Sequence, residues 1–230
     1  MASSPLVELR DVRVALGGHT VLDGVSWRIH SGEHWRISGP NGAGKTTLAK
    51  LLYGRLRAAH GGRVEWFGSS KRLSVAELRT KVALLSDEEQ SRYDWNIPVE
   101  EVVASGFFAS VGLPQTASPK HMQTARRLLE DFGIGALAGR RFLELSFGQR
   151  RLVLVARALV RTPKLLILDE ALNGFDRDVR ARVQRRIDAL AAAGTAVVAI
   201  AHDDADVPEW VENELRLNAG RVERISSTSH

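Results

Sequence analysis

Residues 39–47 read GPNGAGKTT, and no other stretch restricts the fold of this chain as severely. Gly39, Gly44, Lys45 and Thr46 occupy the fixed positions of the phosphate-loop pattern G-x-x-x-x-G-K-[ST]. The short apolar-alternating segment Trp35-Arg36-Ile37-Ser38 precedes it, and Leu48, Leu51 and Leu52 follow at helical spacing. The loop therefore joins a strand to a helix, which is the context the pattern requires. Gly39, Gly42 and Gly44 let the backbone turn tightly enough to aim several N–H groups at one anion, and the helix N-terminus adds its dipole. Gly39, Pro40, Asn41, Gly42, Ala43, Gly44, Lys45, Thr46 and Thr47 are thus the candidate phosphate-binding set. Lys45 would reach the β- and γ-phosphates, and the Thr46 hydroxyl would take one position on Mg²⁺. A plain glycine-rich connection would need neither the lysine nor the hydroxyl.

A chain of 230 residues, 44% hydrophobic and 26% charged, can bury one sizeable core with a lobe grafted onto it. It contains no cysteine, which excludes a disulfide framework and any thiolate metal site and fits a reducing compartment. The start lacks a basic region followed by an apolar one, and the longest apolar runs fall short of the roughly 20 residues a membrane span needs. The expectation is a protein soluble by itself. A net charge of +5 permits contact with nucleic acid or anionic lipid. The arginines are scattered, however, as on the solvated faces of ordinary helices.

Val7, Leu9, Val12 and Val14 alternate with Glu8, Arg10 and Arg13; Gly17-Gly18 turns the chain, and Val25, Trp27 and Ile29 alternate again. This reads as an antiparallel β-rich opening. A strand is expected around residues 63–67, a helix near 74–79 and a buried strand over 81–85. Residues 86–144 read as a mostly helical lobe inserted into an α/β core. Within it, Ser118-Pro119 caps a helix whose apolar face is Ala125, Leu128, Leu129 and Phe132. The core resumes where Ser146 can cap a long helix bearing Leu152, Val153, Ala156 and Leu159. An apolar strand over 165–168 then ends in Asp169-Glu170, a second amphipathic helix carries Val179, Val183, Ile187 and Leu190, and a strand over 195–201 delivers His202. A hairpin around 218–220 closes the chain.

Asp169 stands where a strand-end carboxylate could hold Mg²⁺, although an acidic residue there also serves in helix capping. Glu170 is placed to polarise a water attacking a phosphate, with a solvated surface acid as the plainer alternative. Together with Lys45 and Thr46 the pair becomes specific.

The order GPNGAGKTT, LSFGQ, LLILDE and a histidine after a strand resembles the ATP-binding cassette (ABC) ATPases over nearly the whole chain. The resemblance implies an α/β phosphate-loop NTPase core with an antiparallel β subdomain and an inserted helical lobe. It makes residues 1–230 one such domain, with the core at about 1–85 and 145–230 and the lobe at about 86–144. It further implies ATP and Mg²⁺ as cofactors, hydrolysis with Glu170 and His202 as catalytic residues, and Thr46 and Asp169 on the metal. In that family the signature residues Ser146, Gly148 and Gln149 serve the γ-phosphate bound by a second cassette, and Asp176 lies in the loop crossing the dimer interface. The implied role is the nucleotide-binding subunit of a membrane transporter, working as a head-to-tail dimer, a homodimer by expectation, with a permease partner. Such a subunit is cytoplasmic, held at the inner face of the membrane through the permease. The alternative is a soluble ABC ATPase acting on DNA, ribosomes or another macromolecule.

Departures from the family pattern are specific. Phe147 stands for a glycine of the signature, so its ring is expected to point to another surface. Ala171 replaces a proline, Ser86-Asp87 stands where a glutamine is expected, and Leu16 replaces a base-stacking aromatic. A narrower likeness, carried by Val25-Ser26-Trp27, Gly32-Glu33-His34-Trp35 and residues 103–108, is to the molybdate-associated, photorepair-type branch. If a permease docks, Phe107, Phe108, Val111 and Leu113 are expected to form its groove. His19, His30, His34, His60, His121 and His230 read as surface residues.

Overall fold

A computed structural model of the chain describes residues 4–59, 61–68, 73–86, 95–108, 117–200 and 207–227. Two compact units emerge. One combines residues 1–84, 164–170 and 194–230, and the other combines 85–163 and 171–193.

The first unit begins with β1 (Val7–Leu16) and β2 (His19–Ile29), then β3 (His34–Ser38), α1 (Lys45–Leu52), β4 (Arg63–Trp66) and α2 (Val75–Lys81). β1 pairs antiparallel with both β2 and β4, giving a three-stranded sheet in the order β2-β1-β4. Its register sets Leu9 opposite Trp27 and Val64, so the apolar positions of the alternating pattern share one face. The neighbouring row is not a simple wet face. Glu8 is only 5% exposed and accepts hydrogen bonds from Arg28 Nε at 2.7 Å and Arg10 Nη2 at 2.8 Å. Those bonds from Arg10 and Arg28 hold its carboxyl down at about 2, against partial burial that pushes it up.

β3 lies inside a second sheet with β5 (Val82–Ser86), β6 (Leu165–Asp169), β7 (Ala196–Ile200), β8 (Asn213–Asn218) and β9 (Arg221–Ser227), in the order β5-β6-β7-β3-β8-β9. β6, β7, β3 and β8 run parallel, and β9 returns antiparallel on β8. β6 and β7 are buried at every position, which explains their unbroken apolar sequence. Trp27 and Trp35 meet edge to face, centroids 5.2 Å apart, and join the core that also buries Ile37, Leu48, Leu52, Leu165, Val198 and Leu215. The expected strand over 81–85 starts one residue later, because Lys81 still belongs to α2, and Ser86 completes it as a buried residue.

The second unit holds α3 (Val99–Ala104), α4 (Pro119–Asp131), α5 (Phe147–Leu159) and α6 (Arg177–Ala192). α3 packs on both α4 and α5, burying Val102, Val103, Leu128, Leu129, Phe132, Phe142, Val153 and Ala156. Ser118 accepts the His121 N–H and Pro119 opens α4, the predicted cap. Two helix C-termini are closed by arginines of α6: Arg182 Nη1 donates to Phe132 O at 3.3 Å, and Arg186 donates twice to Leu159 O at 2.9 and 3.2 Å.

Three histidines read as surface residues, His30, His34 and His121, are half-buried, and the last two have aromatic neighbours. His34 meets the Trp210 ring edge-on at 4.7 Å, and burial lowers its pKa. His121 is stacked on Phe107 at 4.5 Å and edge-on to Phe108 at 5.4 Å. The aromatic neighbours of His34 and His121 come from outside their own elements, where a local reading does not reach. No helix among the described residues is long and apolar enough to cross a membrane.

Candidate active site

The loop between β3 and α1 keeps its shape through contacts distant in sequence. Gly39 has φ 134°, and a Cβ there would stand 2.0 Å from Leu217 O on β8. Gly44 has φ 100°, and its Cβ would press on Leu22 Cδ2 at 2.8 Å. Only glycine fits either place. Ala43 N donates to Pro40 O at 3.1 Å, and Gly220 N donates to Ala43 O at 3.1 Å, tying the loop to the β8–β9 turn. Pro40, Asn41, Gly42 and Thr46 are exposed, whereas Ala43, Gly44, Lys45 and Thr47 are buried.

The Lys45 side chain folds back over the loop, donating from Nζ to Gly39 O at 2.8 Å and Pro40 O at 3.0 Å. The N-terminus of α1 has no side-chain cap and no acidic residue in its first turn. Its leading N–H groups therefore remain donors without a side-chain acceptor, beside a buried ammonium. That combination fits an anion of several oxygens, as a polyphosphate presents.

Thr46 Oγ1 donates to Asp169 Oδ1 at 3.3 Å, across 123 residues of chain. Asp169 is 7% exposed, and burial pushes its carboxyl up. The Thr46 hydroxyl opposes that shift, the Glu170 charge adds to it, and Lys50 and Lys45 lower it. A buried carboxylate beside a threonine hydroxyl is a pair of hard oxygen donors suited to Mg²⁺. Among the described residues no group of three or more His, Asp or Glu could hold a metal. A cation here would draw its remaining ligands from phosphate and water, which is the habit of Mg²⁺. Lys50, one helical turn beyond Thr46, contributes to this field; its i+4 spacing was the sequence signal for it.

Glu170 follows with φ 54°, a left-handed conformation uncommon for a residue with a side chain, and its N–H donates to Ile200 O at 3.1 Å. The turn takes the chain out of β6 with the carboxylate half-exposed. His202 lies outside the described residues, as do Asp87, Val111 and Leu113.

Within the second unit, Ser146 and Gln149 form a reciprocal capping box on α5: Gln149 N donates to Ser146 Oγ, and Ser146 N donates to Gln149 Oε1. Gly148 is exposed, with nothing within 4 Å of a Cβ built on it, and Phe147 is 75% exposed. Asp176 is exposed and caps α6, its Oδ1 accepting from Val179 N at 2.9 Å. The sequence reading passed over Arg151, which is buried on α5 with its guanidinium over the Phe175 ring at 4.6 Å.

Residues 22–173 match the protein family described as ABC transporter. The chain belongs to that family, and it is an ABC-type ATPase. Among curated relatives, the ABC transporter ATP-binding protein ModF of Escherichia coli is 33% identical over 94% of this chain. This chain spans 45% of ModF's length. The zinc transport system ATP-binding protein TroB of Treponema pallidum is also 33% identical, covering 94% of this chain and 80% of its own. Solved ATP-binding cassettes share the fold. A dimeric cassette in a post-hydrolysis state with ADP and Pi superposes with a TM-score of 0.79 at 24% identity, over 97% of this chain and 99% of its own. The cbiO1 cassette of Clostridium perfringens gives 0.76 at 24% identity, over 98% of this chain and 90% of its own. The α/β phosphate-loop class with its antiparallel β subdomain is thereby borne out.

Proposed function

We propose that this chain is the Mg²⁺-dependent ATP-binding and ATP-hydrolysing subunit of an ABC transporter, working as a head-to-tail dimer that closes on two ATP molecules. The observation that carries this reading is the Thr46 hydroxyl on the buried Asp169 carboxylate, next to Lys45 and the uncapped N-terminus of α1. In it, residues 39–47 wrap the phosphates with backbone N–H groups, and Lys45 exchanges its loop carbonyls for phosphate oxygens. Thr46 and Asp169 would hold Mg²⁺, which supplies charge neutralisation on the phosphates when bound. Glu170 accepts a proton from the attacking water, with His202 orienting that water. Ser146, Gly148, Gln149 and Asp176 would face the ATP held by the partner cassette. TroB is the ATP-binding protein of a zinc transport system, and cbiO1 is part of an ABC transporter complex. That likeness supports a permease as this protein's partner, which would hold it at the inner face of the membrane.

The test is a pair of variants. Glu170→Gln should retain ATP binding and lose turnover by on the order of 10²-fold or more, since the amide keeps the shape and cannot take a proton. Dimers should accumulate with ATP in size-exclusion runs. Lys45→Ala should instead weaken ATP binding itself by about tenfold or more. Near-normal hydrolysis by Glu170→Gln, or unchanged affinity in Lys45→Ala, would refute the assignment.

A second reading, a soluble ABC ATPase acting on a macromolecule, draws support from Phe107 and Phe108. Both are half-buried on His121, which leaves less open recess for a permease helix than two free phenylalanines would.

A further inference from the structure

Arg151 sits on α5, beyond the cap that Ser146 makes and within the same helix. It is 8% exposed, an unusual depth for an arginine, and its guanidinium lies 4.6 Å from the centre of the Phe175 ring. The neighbouring Gly174 has φ 75°, and a Cβ there would stand 3.0 Å from Arg151 Nη1. Gly174 and Phe175 therefore lie against the Arg151 guanidinium, with glycine allowing the close approach. Asp176, next after Phe175, then opens α6 through its bond with Val179 N.

From this geometry we propose that Arg151 is a positioning residue: by clamping Phe175 and Gly174 it makes the Ser146 cap and the Asp176 turn move as one piece. The inference rests on the reading that both segments face the nucleotide of a partner cassette. The donors on α5 and the carboxylate at Asp176 must then arrive together when the dimer closes. A clamp between them keeps one segment from docking while the other is displaced. A planar cation on an aromatic face suits that task, since it holds orientation as well as distance. Phe175 is the other half of the device, and leucine at that position would fill the volume without offering the face.

The experiment uses the full chain, with Arg151→Met, Phe175→Leu and Phe175→Tyr made singly and the first two combined. Arg151→Met and Phe175→Leu should each lower kcat by about tenfold, leaving ATP affinity of the isolated subunit within about twofold, because residues 39–47 are untouched. Phe175→Tyr, which keeps the face, should retain near-parental kcat. The combined variant should be no slower than either single one, as expected for two halves of one contact. In the Glu170→Gln background, Arg151→Met should reduce ATP-driven dimer formation. Additive losses, or a Phe175→Leu variant that melts earlier yet turns over normally, would overturn the inference, with Phe175→Tyr showing whether melting alone is responsible. Dimerisation of Glu170→Gln that is unaffected by Arg151→Met would overturn the clamp and leave the ATPase reading standing. If Glu170→Gln itself forms no dimers with ATP, the dimer reading fails and the clamp falls with it.

Discussion

Leu16 ends β1 with 42% of its surface exposed, where the family resemblance implies a stacking aromatic. A leucine offers a base contact area without a π-face, so phosphate and cation contacts should dominate affinity. GTP is then expected to compete with ATP to within about tenfold, about 1.4 kcal/mol, in a displacement titration. Glu8 makes a second residue-scale prediction. Its folded-state carboxyl lies near 2, below the ordinary 4.5, so the stabilisation from Arg10 and Arg28 is fully present above 4.5 and fades as pH falls toward 2. Melting temperatures of the parent and Glu8→Gln should therefore differ most at neutral pH and converge through that acid window. The alternation of residues 7–14 marked Glu8 as lying off the apolar face, correctly. Its burial was not legible, because Arg28 becomes its neighbour only when β1 and β2 pair in register.

Helix starts were the most legible elements. Ser118-Pro119 and the Ser-x-x-Gln spacing at Ser146 carry their own capping chemistry, and α4 and α5 begin where those residues place them. The two caps also allow a comparison. Ser118→Ala and Ser146→Ala should each cost about 1 kcal/mol of stability, measured by denaturant unfolding. Only Ser146→Ala should also depress ATP turnover, if its hydroxyl serves a partner's nucleotide. Equal turnover in both would confine Ser146 to capping. Helix ends were less legible. The carbonyls at Leu159 and Phe132 are closed by Arg186 and Arg182 of α6, and no local pattern announces a donor that arrives from another helix. Asp176 illustrates the reverse difficulty: its N-cap bond is an ordinary structural role that coexists with the proposed one at the dimer interface.

At the scale of the whole molecule, the chain alternated strands and helices visibly enough to give the α/β class, but not the strand order. Setting β3 between β7 and β8 joins segments far apart in the sequence, and only tertiary packing decides such neighbours. The same distance explains why the Thr46–Asp169 pair could be expected from motif order while the supports at Leu217 and Gly220 could not. The two proposed roles separate by stimulation of the ATPase. A rise with DNA or ribosomes in the absence of membrane, falling steeply with salt, would favour the soluble reading. Co-purification with a polytopic membrane protein, lost in Phe107→Asp, would favour the transporter. The close approach of Gly39 to Leu217 O, and the hydrogen bond from Gly220 N to Ala43 O, have a consequence for biosynthesis. A chain emerging from the ribosome displays all of GPNGAGKTT early, yet lacks the hairpin that sets its curvature. Nucleotide capture is therefore expected to wait for β8 and β9: a product truncated before Asn213 should carry the motif yet bind ATP more weakly than the full chain in a titration.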